Sequence, residues 1–243
     1  MLNIVCALLA LTACSPAQPA AVSPERGLPL VAGTTWVYRG ILKSWDSNAG
    51  KVVTVPLAWT MKVDRVCVVG RLTVAVMQGH PDDVAWGVPE AGPSRYLIVR
   101  DGGRYYRLQP EGPPIVPDSE AALRKLLHRE DVVFELPLRL GQEFGREEGT
   151  RQPGWHCWVV ESAGMARVAA KGLAPDARST TYRIAYRTAP DHQILDIAEG
   201  IGIARFRYVH HGTVDECDLR LVELRRPRAG ASAGSAQRRE WVY

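Results

Sequence analysis

Four side chains able to bind a metal ion lie close together in the sequence: His210, His211, Asp215 and Glu216. Imidazole and carboxylate groups are common ligands of Zn²⁺, and a metal-bound water can serve as the nucleophile of a hydrolase. Adjacent residues of a strand point to opposite faces, however, so the two histidines could share a metal only at a twist or bulge. The alternative is a hydrogen-bonded turn with solvated charges.

A second polar segment, His80-Pro81-Asp82-Asp83, lies in a stretch rich in proline and glycine. It could supply a general base, although such segments usually form simple polar connections. His156 follows Trp155 and is expected to pack against aromatic side chains. The sequence has no P-loop, G-x-G-x-x-G or H-E-x-x-H motif, and its G-x-S-x-G match at residues 230–234 falls in the low-complexity end of the chain rather than between a strand and a helix. The sequence therefore favours a non-enzymatic function without a cofactor or resident metal.

Residues 200–224 show the pattern of a β-hairpin that would present the first cluster at its tip. Phe206 and Tyr208 alternate with arginines, and the alternation resumes after a short segment that contains glycine. The outer face of this hairpin is expected to pair two arginines with two acidic residues, Arg205 and Arg207 with Glu216 and Asp218.

Strict alternation also occurs in residues 53–63, where Pro56 predicts an edge position or a bulge. A two-residue turn, Gly70-Arg71, is expected to join a hairpin over residues 66–77. A second hairpin is expected over residues 95–108. Asp118 or Ser119 can cap a short helix that covers part of the sheet.

Later in the chain, residues 155–161 are predicted to form a strand between two loops, a mobile one at 143–154 and another at 165–178. Short consecutive connections favour a meander, and many strands with one apolar face must curl. The predicted fold is therefore mainly β, a single curved antiparallel sheet or incomplete barrel of about ten strands with one short covering helix. It resembles in fold the incomplete barrel of lipoprotein-carrier proteins.

Aromatic and other apolar residues recur on the inward faces of the predicted strands. They could fill a closed core, or they could leave a cavity for an acyl chain or another apolar ligand. The candidate ligand-binding residues are Trp59, Met61, Tyr182, Tyr186, Phe206 and Tyr208.

The first fourteen residues, MLNIVCALLALTAC, have the apolar core of a signal peptide and end in Leu11-Thr12-Ala13-Cys14. This ending resembles the lipobox of bacterial lipoproteins. The resemblance implies that residues 1–13 are removed and that Cys14 is the lipid attachment site, acylated on its sulfur and its new amino terminus. The alternative is an ordinary secretory signal. Ser15, rather than the retention signal Asp, would permit export to the outer membrane of a Gram-negative host.

The remaining chain divides into a flexible tether at 14–27, a β domain at 28–224 and a basic, disordered tail at 225–243. The tail holds five arginines and one glutamate, which accounts for the whole net charge of +4 and leaves the body neutral. The folded body therefore gives no sign of a nucleic-acid partner. Three cysteines of the body, Cys67, Cys157 and Cys217, are either buried thiols or include one disulfide.

The opening of the body, "PL..G..W.Y.G", and its closing "GIG..R..Y.HHG" hairpin resemble those of many uncharacterised bacterial secreted proteins and lipoproteins. That resemblance implies no catalytic residues. The sequence thus predicts an envelope protein, held at the membrane by a lipid anchor, that binds a hydrophobic ligand or a protein partner. A metal-assisted hydrolase built on the cluster near residue 210 and a structural envelope component are the alternatives.

Overall fold

The computed structural model describes residues 27–85, 92–211 and 216–227. The described residues form twelve β-strands, one α-helix, α1 (Glu120–Arg124), and a 3₁₀ helix at Pro81–Val84. The strands in chain order are β1 (Thr35–Asp46), β2 (Lys51–Val69), β3 (Leu72–Gln78), β4 (Arg95–Asp101), β5 (Arg104–Leu108), β6 (Val132–Glu135), β7 (Glu143–Phe144), β8 (Trp158–Arg167), β9 (Arg178–Arg187), β10 (Asp191–Ala198), β11 (Gly202–His210) and β12 (Glu216–Arg225).

All twelve strands belong to one antiparallel sheet in the order β6-β5-β4-β3-β2-β1-β12-β11-β10-β9-β8-β7. Each strand pairs with its neighbour in the sequence, and β1 also pairs with β12. The sheet is therefore an up-and-down meander bent into a nearly closed barrel, with its opening between β6 and β7. The predicted fold class is confirmed, with twelve strands where about ten were expected, because short strands such as β6 and β7 give little pattern.

The predicted hairpin at residues 200–224 is present as β11 and β12. Its register places Phe206 opposite Leu219 and Tyr208 opposite Cys217 on the buried face. On the outer face Arg205 binds both carboxylate oxygens of Asp218, with Nη2 and Oδ2 2.6 Å apart.

The other expected pair of that hairpin is wrong. Glu216 binds Lys43 of β1 at 2.9 Å instead. Strand β12 lies between β1 and β11, and Glu216 is directly opposite Lys43 in the β1–β12 pairing. Arg207 forms no ion pair within the described residues, and its Nε is buried without a partner. Asp218 lies opposite Arg207 but is already bound by Arg205.

The position predicted for Pro56 is confirmed. Pro56 lies opposite Ile41 of β1, whereas β3 pairs with β2 from Lys62 onward, so the proline is on an unpaired edge of β2. The turn after β2 also matches its prediction, since Val69 and Leu72 are partners and Gly70 has φ of +60°.

Strand β8 differs from its prediction at both ends. It begins at Trp158 and continues through Met165, opposite Thr180 of β9, to Arg167. The extension was missed because its side chains are largely exposed and show no alternation. The preceding loop begins as strand β7, and the backbone N–H of Gly154 donates to Glu143 Oε1 at 2.9 Å.

Strands β3 and β4 carry runs of consecutive buried residues, as the run from Tyr96 to Val99 shows. Both faces of these strands are therefore covered, the inner by the barrel core and the outer by the segment that contains α1. Ser119 caps α1, as predicted, by accepting from the N–H of Ala122 at 3.2 Å. Arg124 binds Asp101 at 2.7 Å, which fixes α1 against the β4–β5 turn.

The three body cysteines are unpaired thiols, with Cys157 and Cys217 buried and Cys67 half-buried. Among the described residues, no helix has the length and apolar character needed to cross a membrane. Residues 1–26, which include the predicted signal peptide, Cys14 and nearly all of the tether, lie outside the described ranges, as do residues 228–243 of the predicted tail.

Candidate ligand-binding site

A cluster of largely buried polar side chains lies inside the barrel near one of its ends: His80 is 9% exposed, and the side chains of Asp82 and Arg107 are 13% and 22% exposed. Asp82 lies between two partners, with its Oδ1 2.5 Å from His80 Nδ1 and its Oδ2 2.5 Å from Arg107 Nη1. The ring of Tyr96 packs edge-on against His80, with centroids 5.6 Å apart. The hydroxyl of Tyr96 is buried and has no hydrogen-bond partner among the described residues.

Strand pairing and a short helix position this cluster. The chain leaves β3, and His80 caps the 3₁₀ helix that begins at Pro81, which turns Asp82 inward. The indole N–H of Trp59 holds the cap in place by donating to the carbonyls of Gly79 and His80, each at 3.1 Å. Arg107 reaches the cluster from β5.

The charges within the cluster support one another. Burial opposes ionisation of Asp82, but the neighbouring His80 and Arg107 outweigh it and hold the pKa of that carboxyl well below its usual range. Burial alone would lower the pKa of Arg107, yet Asp82 raises it, so the guanidinium stays charged. Burial raises the pKa of Tyr96 well above its ordinary value, so its hydroxyl stays protonated.

Two spaces adjoin this cluster. The inner cavity, of about 30 Å³, lies in the barrel core and is mostly apolar, with His80, Tyr96 and Arg107 on its polar side. The mouth cleft, of about 350 Å³, opens at the end of the barrel and is lined by polar residues such as Gln109 and Gln193. The two spaces share one wall, formed by Arg107, Val133 and Trp158.

The mouth cleft combines aromatic and charged groups. Trp158 and Tyr186 pack together with ring centroids 5.4 Å apart. Burial and the nearby Glu147 raise the pKa of Tyr186 above its ordinary value, so this phenol is a hydrogen-bond donor. Burial likewise raises the pKa of Asp131. The cleft can thus bind the polar part of a ligand, while the inner cavity can accept an apolar part.

Within the described part of the chain, the cluster lacks the arrangement of side chains that a hydrolase needs. His80 and Asp82 resemble the base and orienting group of a hydrolase, but among the described residues no serine or cysteine hydrogen-bonds to His80. The nearby hydroxyl of Ser94 binds Asp83 at 2.6 Å instead. The cluster is best described as a polar wall within an apolar interior.

The six predicted ligand-binding residues all lie on the inner face of the sheet. Met61, Phe206 and Tyr208 are buried, whereas Trp59 and the two other tyrosines are half-buried. Met61 lines the inner cavity and Tyr186 lines the mouth cleft. The other four, Trp59, Tyr182, Phe206 and Tyr208, line neither space.

The hydroxyl groups of three of these residues bind carboxylates. Tyr208 donates to Asp191 Oδ1 at 2.5 Å, Tyr182 donates to Glu199 at 3.1 Å, and Tyr186 binds Glu147. A ligand-binding role for the six residues stays a prediction.

The predicted metal cluster does not converge among its described members. His210 Nδ1 lies 2.7 Å from Asp191, and His211 Nε2 lies 3.1 Å from His192 on the exposed side. Glu216 binds Lys43, and Asp215 lies outside the described residues. No group of three or more metal-ligating side chains occurs in the described part of the chain. The expectation that the adjacent histidines diverge is met.

Sequence reasoning considered His80 and Asp82 but missed their partner Arg107, which is 27 residues from His80. Spacing carries no signal for such a contact, because three successive strands bring the residues together. One signal was available. Arg107 lies two residues after Tyr105 in the same strand, so the two side chains share a face, and a buried Tyr105 places Arg107 on the inward face as well. His156 was expected to pack against aromatics; in the structure its Nδ1 lies 3.0 Å from Glu147, and the residue precedes β8 with a φ of +49°.

Fold and site together define a meandering, nearly closed β-barrel with a charged cluster facing a small apolar cavity. No protein-family model matches the chain, and no curated protein matches it. One similar solved structure is from Bacteroides fragilis, described as a "putative exported protein with YmcC-like fold", with 10% identity and a TM-score of 0.39 over 82% of this chain and 99% of that one.

A second is a "putative lipoprotein" from Parabacteroides distasonis, with 11% identity and a TM-score of 0.32 over 82% of this chain and 97% of that one.

Proposed function

We propose that the protein is a lipid-anchored envelope protein that binds a hydrophobic ligand with a polar end at the mouth of its barrel. The anchor rests on the lipobox at Cys14, and the binding role rests on the shared wall of Arg107, Val133 and Trp158. This wall places a cation and an aromatic ring between a polar cleft and an apolar cavity, the usual composition of a small-molecule site.

The size of the inner cavity restricts the ligand. A space of about 30 Å³ holds a group no larger than a few atoms, so a longer apolar chain enters only if side chains of the wall move. The polar end of the ligand would remain in the mouth cleft, within reach of Arg107, Gln109 and Gln193.

The binding role can be tested with palmitate as a probe, by calorimetry and by mass spectrometry of the native protein. The wild type should bind palmitate or carry a co-purified lipid. Val133→Arg places bulk and charge in the shared wall and should weaken binding at least tenfold. Val52→Arg, at a position 43% exposed on β2, is the matched control. A folded wild type without co-purified lipid or palmitate binding would contradict the proposal.

The anchor has a separate test. Mass spectrometry of protein purified from membranes should show acylation at residue 14 and removal of residues 1–13. Cys14→Ala should release the protein from the membrane fraction, because attachment comes from the buried acyl chains, at about 0.8 kcal/mol for each methylene. An unmodified Cys14 in membrane-derived protein would refute the anchor and leave the binding role untouched.

A further inference from the structure

A larger groove lies at the opposite end of the barrel from the mouth cleft. Connections after odd-numbered strands lie at one end of an antiparallel meander, and connections after even-numbered strands lie at the other. The mouth cleft belongs to the first end, and the segment that leads into β1 belongs to the second. This second end holds the entry groove, about 590 Å³ in volume, lined by residues that include Leu28, Leu30, Val31, Thr34, Arg100 and Arg226.

The entry groove contains two arginines without an acidic partner in the described part of the chain. Arg100 donates to the hydroxyl of Thr73 at 3.1 Å, and Arg226 donates to the carbonyl of Gly200 at 2.8 Å. Arg183, by contrast, binds the carboxylate of Asp196 at 2.8 Å. The two guanidinium groups of the groove therefore retain charge that an anionic ligand can satisfy.

A buried hydroxyl provides independent support for a ligand at this position. Thr34 is 1% exposed and lines the groove, yet its Oγ1 has no hydrogen-bond partner among the described residues. A buried polar atom without a partner destabilises the folded state, so its presence suggests a group that binds there. The neighbouring Val31 is 51% exposed and adds an apolar surface.

From these contacts we propose that the entry groove binds the phosphate group of an anionic phospholipid and holds this end of the barrel against the bilayer. Arginine and threonine donors suit phosphate oxygens, and the exposed apolar residues suit the region just below the headgroups. The placement rests on the proposed anchor. The tether predicted for residues 14–27 would span roughly 20 Å if it behaves as a flexible linker, which would keep the membrane within reach of the groove.

The test uses residues 15–243, which lack the signal peptide and Cys14 but retain the nearly closed barrel and its described core. Sedimentation with phosphatidylglycerol-containing vesicles should show binding that phosphatidylcholine vesicles do not support. Arg100→Gln and Arg226→Gln should each weaken partitioning about fivefold, the factor that corresponds to about 1 kcal/mol for each basic residue at an anionic surface. Arg39→Gln removes an exposed arginine of β1 and should leave partitioning unchanged.

The apolar contact has its own matched pair. Val31→Asp should weaken vesicle binding, whereas Val52→Asp, on the β1–β2 hairpin at the other end, should not. Circular dichroism confirms that each variant is folded before it is compared.

Three outcomes would overturn the inference: no preference for phosphatidylglycerol, an equal loss in Arg39→Gln, or displacement by inorganic phosphate at matched ionic strength. The last result would assign the groove to a free phosphate. None of them bears on acylation of Cys14 or on palmitate binding, which are measured separately.

Discussion

The stability of the barrel interior depends strongly on the ionised side chain of Asp82. It is a largely buried carboxylate held by His80 and Arg107, and removal of one member of such a group leaves the other charge without compensation. Asp82→Asn should therefore lower the free energy of unfolding by about 3 kcal/mol. Asp64→Asn, which removes the ion pairs of Asp64 with the more exposed Lys62 and Arg95, should cost about 1 kcal/mol or less. Chemical denaturation of both variants measures the difference.

The depressed pKa of Asp82 makes the free energy of unfolding depend on pH. The folded pKa of Asp82 lies below its unfolded value, which is about 3.9. Its contribution to stability is therefore complete above about pH 5 and is lost as the pH falls through the unfolded pKa toward the folded pKa. The stability difference between wild type and Asp82→Asn should shrink as the pH falls from about 5 to about 2. A difference that stays constant over this range would contradict the assigned ionisation.

Two buried tyrosines differ in whether the hydroxyl has a partner. Tyr38 donates to the carbonyl of Ile203 at 3.1 Å, whereas the hydroxyl of Tyr96 has no partner among the described residues. Tyr38→Phe should lower the free energy of unfolding by about 1 kcal/mol, and Tyr96→Phe should leave it unchanged or raise it by about 1 kcal/mol. Thermal unfolding of the pair checks this, and an equal loss in both variants would show that Tyr96 does have a partner.

At the scale of elements, the β10–β11 turn is packed against the segment that enters the barrel. The indole N–H of Trp36 donates to the carbonyl of Ile201 at 2.6 Å, and Gly202 is the next residue in the chain. A Cβ at Gly202 would meet Leu28 Cδ1 at 2.7 Å and Trp36 Nε1 at 3.1 Å. The turn before β11 therefore contacts the start of β1, although β12 lies between these two strands in the sheet.

This contact gives a matched prediction. Gly202 and Gly112 both have φ of +101°, but a Cβ at Gly112 would have no atom within 4 Å. Alanine at either position incurs a similar backbone strain, and alanine at Gly202 also clashes. Gly202→Ala should thus be more destabilising than Gly112→Ala by about 1–3 kcal/mol in urea denaturation. Equal losses would show that Leu28 and Trp36 can move aside.

The elements also show what the sequence could reveal. Residues 53–63 and the β11–β12 hairpin were predictable because apolar residues alternate with polar ones, and one face of each strand is less exposed to solvent than the other. Strand β3 has buried residues on both faces and lacks this period, so it was predicted from the Gly70-Arg71 turn instead. The exposed end of β8 has almost no buried residue and no nearby turn signal, so it was missed. The site was only partly visible, because Arg107 joins Asp82 through the order of the strands rather than through spacing.

At the scale of the whole molecule, the barrel is closed by strand pairing on one side and is open between β6 and β7 on the other. The pairing of β1 with β12 extends from Thr35 to Lys43. The opposite edges, β6 with four residues and β7 with two, form no ladder with each other among the described residues. One contact across this opening is the hydrogen bond from Gln142 Nε2 to the carbonyl of Glu135, 3.2 Å long. Local opening should therefore begin here.

Native-state hydrogen exchange can detect that opening, because short edge strands open at lower free energy than a fully paired ladder. Amides of β6 and β7 should exchange roughly 100-fold faster than those of β1 and β12, a difference of about 2.7 kcal/mol. Gln142→Ala should accelerate exchange in β6 further and leave β12 unchanged, whereas Gln193→Ala, within the β9–β10–β11 ladder, should not affect β6. Uniform exchange across all four strands would mean that the barrel unfolds as one cooperative unit.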